Sequence, residues 1–284
     1  MVKSKNVLIT GTSGLIGGYI LKLLEDAQYI NVIPIDRSII PDLSNSASVN
    51  TLHKFNKIDF IVHTAALIPG NNTTDESAAH TNFKIDNNIF EYAKTIGTKI
   101  LYMSSMSVYK NYGEDILITE TMPVVKDATL KYVTEKLYAE EMFRQINGST
   151  IFRISSPFGI GQKNRNVLKI FFDYVKANKD IVIFGDGSRT QDFINGSDIA
   201  KAVLSVLERE ISGIFNIVSG KSISMLNLAG LFIKLYPNYT GKIHVNTIPD
   251  NQGYFRANFS NAKARNILNW SPTISLQHGL SELL

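Results

Sequence analysis

The stretch Gly11-Thr12-Ser13-Gly14-Leu15-Ile16-Gly17 lies between an apolar run that ends at Ile9 and a segment with helical spacing that starts at Leu15. Its glycines follow the spacing GxxGxxG, which permits a tight turn and a close approach of the backbone to a pyrophosphate. The N-terminus of the following helix supplies free N–H groups and a favourable dipole. A glycine triplet alone is a weak signal. Its place between the first strand and the first helix predicts a dinucleotide-binding turn.

Apolar runs and helical segments alternate through the first half of the chain. We predict buried strands at Val7–Ile9, Val32–Ile35, Phe60–Val62, Ile100–Met103 and Ile151–Ile154, and helices at Leu15–Leu24, Asn82–Thr95 and Tyr132–Ile146. This alternation predicts an α/β protein with a Rossmann-type, doubly wound parallel sheet. After the bend SSPFGIGQKN the pattern loosens. We therefore expect a dinucleotide-binding Rossmann domain over residues 1–155, rejoined by residues 191–212, and a smaller α/β C-terminal substrate lobe over residues 156–284.

The composition excludes several classes of protein. The chain has no cysteine, which rules out disulfides, thiolate nucleophiles and cysteine-bound zinc, and the spacing of its histidines predicts no metal site. The segment MVKSKNVLIT lacks the apolar core of a signal peptide, and no apolar run is long enough for a membrane helix, so we expect a cytoplasmic protein. The net charge of +4 arises from scattered Lys and Arg residues. We therefore expect neither a nucleic-acid nor a membrane partner.

Two residues after the second predicted strand bear on the choice of dinucleotide. Asp36 can accept hydrogen bonds from the adenosine ribose hydroxyls and would repel a 2′-phosphate, which favours NAD over NADP. Arg37 leaves the alternative open, because an arginine can pair with a 2′-phosphate.

A Tyr and a Lys stand four residues apart on one predicted helix. Tyr132 and Lys136 therefore lie on one helix face. A Tyr hydroxyl has a pKa near 10, and a nearby ammonium lowers it toward the range of a useful base. Ser104 and Ser105 lie at the C-terminal end of another predicted strand, where a serine hydroxyl can donate to a substrate oxygen. The Tyr–Lys pair together with such a serine predicts proton abstraction from an alcohol coupled to hydride transfer.

Motifs along nearly the whole chain resemble one known family, the extended short-chain dehydrogenase/reductases, in particular their nucleotide-sugar epimerase/dehydratase group. The resemblance rests on the order and spacing of ITGTSGLIG, IVHTAA, TNFKIDNNIFEYA, ILYMSSMSVY, YVTEKLYAEE, FRISSPFG, FGDGSRTQDFINGSDIAKAV, FNIVSG and NAKARNILNWSP.

The resemblance implies a role for individual residues. It implies a catalytic triad of Ser105, Tyr132 and Lys136, with Lys136 and Tyr132 also touching the cofactor. Further cofactor-binding positions are implied at Asp42, Leu43, Ala65, Ala66 and Asn82. The implied substrate-binding positions are Ser105, Ser107, Ser156, Arg189 and Gln191.

Departures from the family pattern narrow the reaction. The positions of the acidic pair that dehydratases use hold Met106 and Ser107, so we do not expect a dehydratase. Ser156 and Gln191 replace an asparagine and an arginine that contact substrate phosphates, and a second arginine expected near residue 251 is absent. Lys163, Arg165 and Arg189 are the cations that can compensate.

The sequence therefore predicts an NAD-dependent nucleotide-sugar epimerase acting at C4 through a transient 4-keto intermediate. An NAD(P)H-dependent reductase of nucleotide-linked 4-keto sugars is the main alternative, because it uses the same residues. A cofactor-binding protein without catalysis and an enzyme for a non-nucleotide alcohol are further alternatives. By resemblance, a homodimer is expected through the helices near Asn82–Thr95 and Tyr132–Ile146.

Overall fold

A computed structural model of the protein describes residues 5–55, 57–70, 73–110, 112–127, 129–163, 166–246, 248–250 and 256–283. Its strands are β1 Lys5–Thr10, β2 Ile30–Ile35, β3 Phe60–His63, β4 Lys99–Ser105, β5 Gly113–Ile118, β6 Thr150–Ile154, β7 Ser156–Phe158, β8 Ile181–Ile183, β9 Thr190–Asn195, β10 Gly213–Ile217, β11 Ser222–Ser224, β12 Ile243–Val245 and β13 Ala257–Phe259. Its α-helices are α1 Leu15–Glu25, α2 Ser46–Asn50, α3 Asp75–Ile96, α4 Lys131–Phe143, α5 Val167–Lys176, α6 Gly196–Arg209, α7 Met225–Leu235, α8 Ala262–Leu268 and α9 Leu276–Ser281.

Six parallel strands form the central sheet, in the order β10-β6-β4-β3-β1-β2. The chain starts at β1, adds β2 on one side and then crosses to β3 on the other. This reversal makes the carboxyl ends of β1 and β3 the switch point at which open α/β sheets bind ligands.

Helices cover both faces of this sheet because side chains on a strand alternate between its faces. On one face Val7 and Ile9 of β1 pack with residues of α1 and α6, among them Ile20 and Val203. On the other face Leu8 packs in the cluster formed with residues of α3 and α4. The prediction of a doubly wound Rossmann-type sheet is confirmed.

A further apolar cluster lies outside the central sheet. It joins α5, α7 and α9 through Phe171, Phe232 and Leu280, beside the three-stranded sheet β11-β9-β7. The division into residues 1–155 and 156–284, with 191–212 rejoining the first part, remains a proposal. In its favour, α6 packs against α1. β10 also pairs with β6 in the central sheet, although it lies beyond residue 212.

The helix that carries the predicted active-site asparagine begins earlier than its apolar pattern indicates. The Thr74 hydroxyl caps α3 by accepting a hydrogen bond from Ser77 N, and Asp75 and Glu76 occupy its first turn. The helix ends at Gly97, whose φ of +66° is left-handed. None of the described helices, α3 included, is both long and apolar enough to cross a bilayer.

Candidate active site

The glycine turn after β1 is packed too tightly for side chains at two of its positions. A Cβ on Gly11, whose φ is +75°, would lie 2.8 Å from the backbone of Ala65. A Cβ on Gly17 would lie 2.3 Å from the Gly11 carbonyl oxygen. Gly14 is the N-cap of α1, and no side chain caps that helix terminus. Its first N–H groups therefore stay open to an anion, which fits the pyrophosphate of a dinucleotide.

Residues 11–17 all lie at this turn or in the first turn of α1. Thr12 is buried, Ser13 and Gly14 are exposed, and Leu15 and Ile16 are half-buried. The N–H of Gly11 donates to the Ile35 carbonyl oxygen at 2.8 Å, which ties the turn to the end of β2.

Asp36 directly follows Ile35, the residue whose carbonyl oxygen accepts the hydrogen bond from the glycine turn. Its Oδ1 accepts hydrogen bonds from the amide and the hydroxyl of Ser38, which lower the pKa of the Asp36 carboxyl. The carboxylate is therefore ionised, and it lies at the position where the sequence predicts ribose binding. Arg37 is exposed next to it.

The loop after β3 reaches the same turn. Ala65 N lies 3.3 Å from the Thr10 hydroxyl oxygen, and Ala66 follows in the loop. Asn82 is buried and fixes this loop, because its side-chain oxygen accepts from Leu67 N at 2.7 Å and its amide donates to Leu67 O at 2.9 Å. These bonds give Asn82 a supporting role and occupy both ends of its amide.

The predicted Asp42-Leu43 pair lies farther along the same edge. Asp42 is exposed, and its carboxylate accepts hydrogen bonds from Ser44. The Leu43 carbonyl accepts a hydrogen bond from Asn88 of α3 at 3.0 Å.

Tyr132 and Lys136 lie on one face of α4, as their spacing predicts. The Lys136 ammonium lies 5.7 Å from the centre of the Tyr132 ring. Lys136 donates a hydrogen bond of 2.6 Å to the Tyr102 hydroxyl of β4 and is 1% exposed. Tyr132 N donates to the Asp75 carboxylate at 3.3 Å.

The effect of this neighbourhood on Tyr132 differs from the expectation. Burial raises the pKa of Tyr132 above its ordinary value, and the Lys136 ammonium opposes that effect without overcoming it. Glu135 and Asp86 raise the Tyr132 pKa further. Lys136 thus acts on the Tyr132 pKa in the predicted direction, but in the protein without its ligands burial of the ring is the larger effect and the net pKa is raised.

Ser105 ends β4 and caps the 3₁₀ turn Met106–Val108. Its Oγ accepts hydrogen bonds from Ser107 N at 3.2 Å and from the Ser107 hydroxyl at 2.8 Å. This turn packs against α4. Ser105 is half-buried and Ser107 is exposed, so both hydroxyls lie at the carboxyl edge of the sheet.

The structure brings the predicted substrate residues of the second lobe together. Gln191 donates a hydrogen bond from its side-chain amide to the Ser156 hydroxyl, across β9 and β7. Arg189 lies 3.4 Å from the Gln191 side-chain oxygen and forms an ion pair of 2.6 Å with Asp250. The three positions form one polar surface with a guanidinium at its edge.

Another cation lies at this surface that the sequence reasoning missed. The Arg256 guanidinium donates to the Ser188 hydroxyl and lies 3.8 Å from the Asp186 carboxylate. The second arginine of the family pattern is absent near residue 251, but Arg256 stands five positions later.

Residues 165 and 251 lie outside the described residues. Lys163 reaches the glycine turn, where its ammonium lies 3.5 Å from Ser13 O.

A buried polar chain behind Lys136 was also missed. Tyr102 donates to one Asp86 oxygen at 2.8 Å, and His63 contacts the other at 2.9 Å. The second ring nitrogen of His63 lies 2.6 Å from the Thr10 hydroxyl. The chain therefore runs from the end of β1 to Lys136. Within the described ranges, no group of three or more acidic or histidine side chains has a metal-binding arrangement.

Comparison with known proteins agrees with this geometry. Residues 7–218 match the model of the NAD dependent epimerase/dehydratase family. GDP-L-fucose synthase 1 of Arabidopsis thaliana is 26% identical, over 99% of this chain and 92% of its own. UDP-glucuronate 4-epimerase of Thermodesulfobacterium geofontis is 25% identical, over 84% and 75% of the two chains. The solved UDP-glucose 4-epimerase of Thermotoga maritima superposes with a TM-score of 0.80 at 22% identity, covering 97% and 96%.

Proposed function

This chain belongs to the NAD dependent epimerase/dehydratase family, and we propose that within this family it is a nucleotide-sugar 4-epimerase that works through a transient 4-keto intermediate. The observation that carries the proposal is the placement of Lys136 between Tyr132 and Tyr102. The ammonium lies 5.7 Å from the centre of the Tyr132 ring and 4.8 Å from the centre of the Tyr102 ring. The similarity to a UDP-glucuronate 4-epimerase supports the same reaction.

The cofactor-binding part follows from the switch point of the sheet. The uncapped N-terminus of α1 fits the pyrophosphate, and Asp36 fits a ribose without a 2′-phosphate. Lys136 is the residue proposed to hold the nicotinamide ribose. NAD held by these residues would supply reversible hydride transfer at C4 of the sugar.

The chain's own residues move the proton. Tyr132 takes the proton of the C4 hydroxyl as the carbon is oxidised and returns it when the ketone is reduced. Lys136 stabilises the phenolate electrostatically, and the positive charge of oxidised NAD adds to that effect. Ser105 donates a hydrogen bond to the reacting oxygen. Water elimination is not proposed, because Met106 and Ser107 supply no acid.

The substrate's nucleotide diphosphate is assigned to the polar surface of the second lobe. Ser156 and Gln191 offer neutral donors, and Arg189 and Arg256 offer two guanidinium groups. Guanidinium groups bind phosphate oxygens through paired, charge-assisted hydrogen bonds. This arrangement compensates for the arginine that Gln191 replaces.

The test supplies purified protein with UDP-, GDP- and dTDP-linked hexoses and no added cofactor, and follows the sugars by NMR. The expected product is a C4 stereoisomer of unchanged mass. Absence of conversion across the panel, with bound NAD demonstrated, would overturn the epimerase proposal.

One observation favours the 4-keto-sugar reductase as second candidate. Because burial raises the pKa of Tyr132, the protein without ligands holds this hydroxyl protonated, as a reductase needs in order to donate a proton to a ketone. Stoichiometric consumption of NADH with a nucleotide-linked 4-keto sugar, without epimerisation, would establish that reaction instead.

A homodimer through α3 and α4 is proposed as the assembly. The rings of Phe83 and Tyr138 lie 5.2 Å apart at an interplanar angle of 41°, although the two residues are 42% and 51% exposed. Exposed aromatic pairs of this kind are typical of protein interfaces. Light scattering of the wild type and of Tyr138→Asp tests the assembly, and a monomeric wild type would contradict it.

A further inference from the structure

Two buried carboxyl groups flank the ammonium of Lys136, and the mechanism above uses neither. Asp86 of α3 is 1% exposed and Glu135 of α4 is 6% exposed. The ammonium of Lys136 lies 3.9 Å from a Glu135 oxygen and is joined to Asp86 through the Tyr102 hydroxyl. One cation thus stands against two buried acids, and burial makes a second negative charge costly.

The hydrogen bonds distinguish the two acids. Asp86 receives two, one from Tyr102 at 2.8 Å and one from His63 at 2.9 Å. Neither oxygen of Glu135 receives a hydrogen bond from any donor among the described residues. Hydrogen-bond donors stabilise an ionised carboxylate more strongly than a neutral acid, so the proton shared by the pair belongs on Glu135.

We propose that Asp86 and Glu135 are positioning residues for Lys136: Asp86 is the ionised counter-charge of the ammonium, and Glu135 is a neutral acid that keeps its proton and donates a hydrogen bond to Asp86. The cluster of Lys136, Asp86 and Glu135 then carries no net charge, so it does not repel a negative charge that forms on Tyr132. Ionisation of Glu135 would place a second anion beside that phenolate. This inference rests on the proposed function only for its effect on catalysis.

The direction of the pKa shifts agrees with this assignment. Burial, opposed by Lys136 and reinforced by the charge of Asp86, raises the pKa of Glu135 to about 9. Burial acts against ionisation of Asp86 too, but Lys136 and His63 outweigh it and lower the Asp86 pKa to about 2. Burial lowers the pKa of Lys136, and Asp86, Tyr132 and Glu135 together raise it above its ordinary value.

The catalytic consequence is a decline of activity at alkaline pH that is caused by ionisation of Glu135. The charged and titratable groups that face it or its partners are His63, Asp75, Asp86, Tyr102, Tyr132, Lys136 and Glu140. Among these, Glu135 is the acid held neutral at neutral pH by burial. Glu135→Gln keeps a neutral amide donor toward Asp86 and cannot ionise. Glu141→Gln, on the exposed side of the same helix, is the matched control.

The direct test is carboxyl ¹³C NMR of the full chain labelled at the Glu side-chain carbonyl, titrated with and without NAD. The resonance missing from Glu135→Gln is expected to titrate near pH 9, and a midpoint near 4.5 would overturn the proposal. In the pH dependence of kcat/KM, wild type and Glu141→Gln should fall above pH 9 by about tenfold per unit. Glu135→Gln should not. A decline that persists in Glu135→Gln would also contradict the proposal.

Asp86→Asn tests the proposed role of Asp86 as the counter-charge of Lys136. It should lower kcat and shift the alkaline decline to lower pH, because the buried ammonium loses its counter-charge. If that variant does not fold, Tyr102→Phe breaks the same connection with both charges kept, and an unchanged pH profile there would count against positioning. The titration needs no substrate. A failed epimerase assay with a titration near pH 9 therefore rejects the function alone, and the reverse result rejects this pair alone.

Discussion

The ammonium of Lys136 and the carboxylate of Asp86 are joined through a single hydroxyl group, that of Tyr102. The two hydrogen bonds measure 2.6 and 2.8 Å, and all three side chains are buried. The connection crosses from α4 through β4 to α3, so the position of the proposed ribose-binding Lys depends on all three elements.

Tyr132→Phe should lower kcat by 10² to 10⁴-fold, because general acid–base catalysis by a positioned side chain contributes about that much. The thermal unfolding temperature should change little, since only a hydroxyl is removed. Tyr138→Phe, an exposed position on the same helix, is the control and should keep its activity. Turnover of Tyr132→Phe at the wild-type rate would contradict the assignment of the base.

Gly17→Ala should abolish NAD retention and destabilise the fold by about 1–3 kcal/mol, the usual cost of overpacking. The added Cβ would lie 2.3 Å from Gly11 O and would displace the turn. Gly18→Ala is the matched control, because its Cβ meets Thr12 O at 3.5 Å and favours the helix by up to about 1 kcal/mol. Thermal unfolding and NAD content after gel filtration measure both effects, and equal behaviour of the two variants would refute the packing argument.

Stability should fall with rising pH because of Glu135. Its pKa is raised from an ordinary 4.5 to about 9, so the folded protein binds a proton that the unfolded chain releases between these values. The contribution is complete below pH 4.5 and is lost by about pH 9, with a slope of at most about 1.4 kcal/mol per unit. Urea unfolding of wild type, Glu135→Gln and Glu141→Gln at several pH values should show a flatter dependence in Glu135→Gln alone.

Arg189→Ala should raise KM for the nucleotide sugar about tenfold to a hundredfold, the equivalent of 1.5–3 kcal/mol for a charge-assisted hydrogen bond. NAD retention should stay as in the wild type, because Arg189 contacts Gln191 and Asp250, neither of which is a proposed cofactor-binding residue. Arg144→Ala, which removes an exposed cation directly after α4, is the control. An unchanged KM in Arg189→Ala would contradict the assignment of the diphosphate to this surface.

Most of the central sheet could be predicted from the sequence. Continuous apolar runs identified β1 to β4 and β6, because strands buried on both faces have no polar positions. The short strands β5 and β13 were missed, since they pair with each other across 139 positions of sequence, from Ile118 to Ala257, and carry no local pattern. The early start of α3 came from the Thr74 cap, outside the apolar repeat used to place the helix.

The sequence by itself determined the glycine turn, the parallel sheet and the pairing of Tyr132 with Lys136. Those features depend on local backbone geometry and helical spacing, which neighbouring residues encode. Only the tertiary structure decided the protonation of the site. Asp86 and Glu135 lie on different helices, 49 positions apart, and look like ordinary acids of amphipathic helices. Burial beside Lys136, with donors reaching one acid and not the other, makes one a carboxylate and the other a neutral acid, because desolvation and hydrogen bonding act on groups brought together in space.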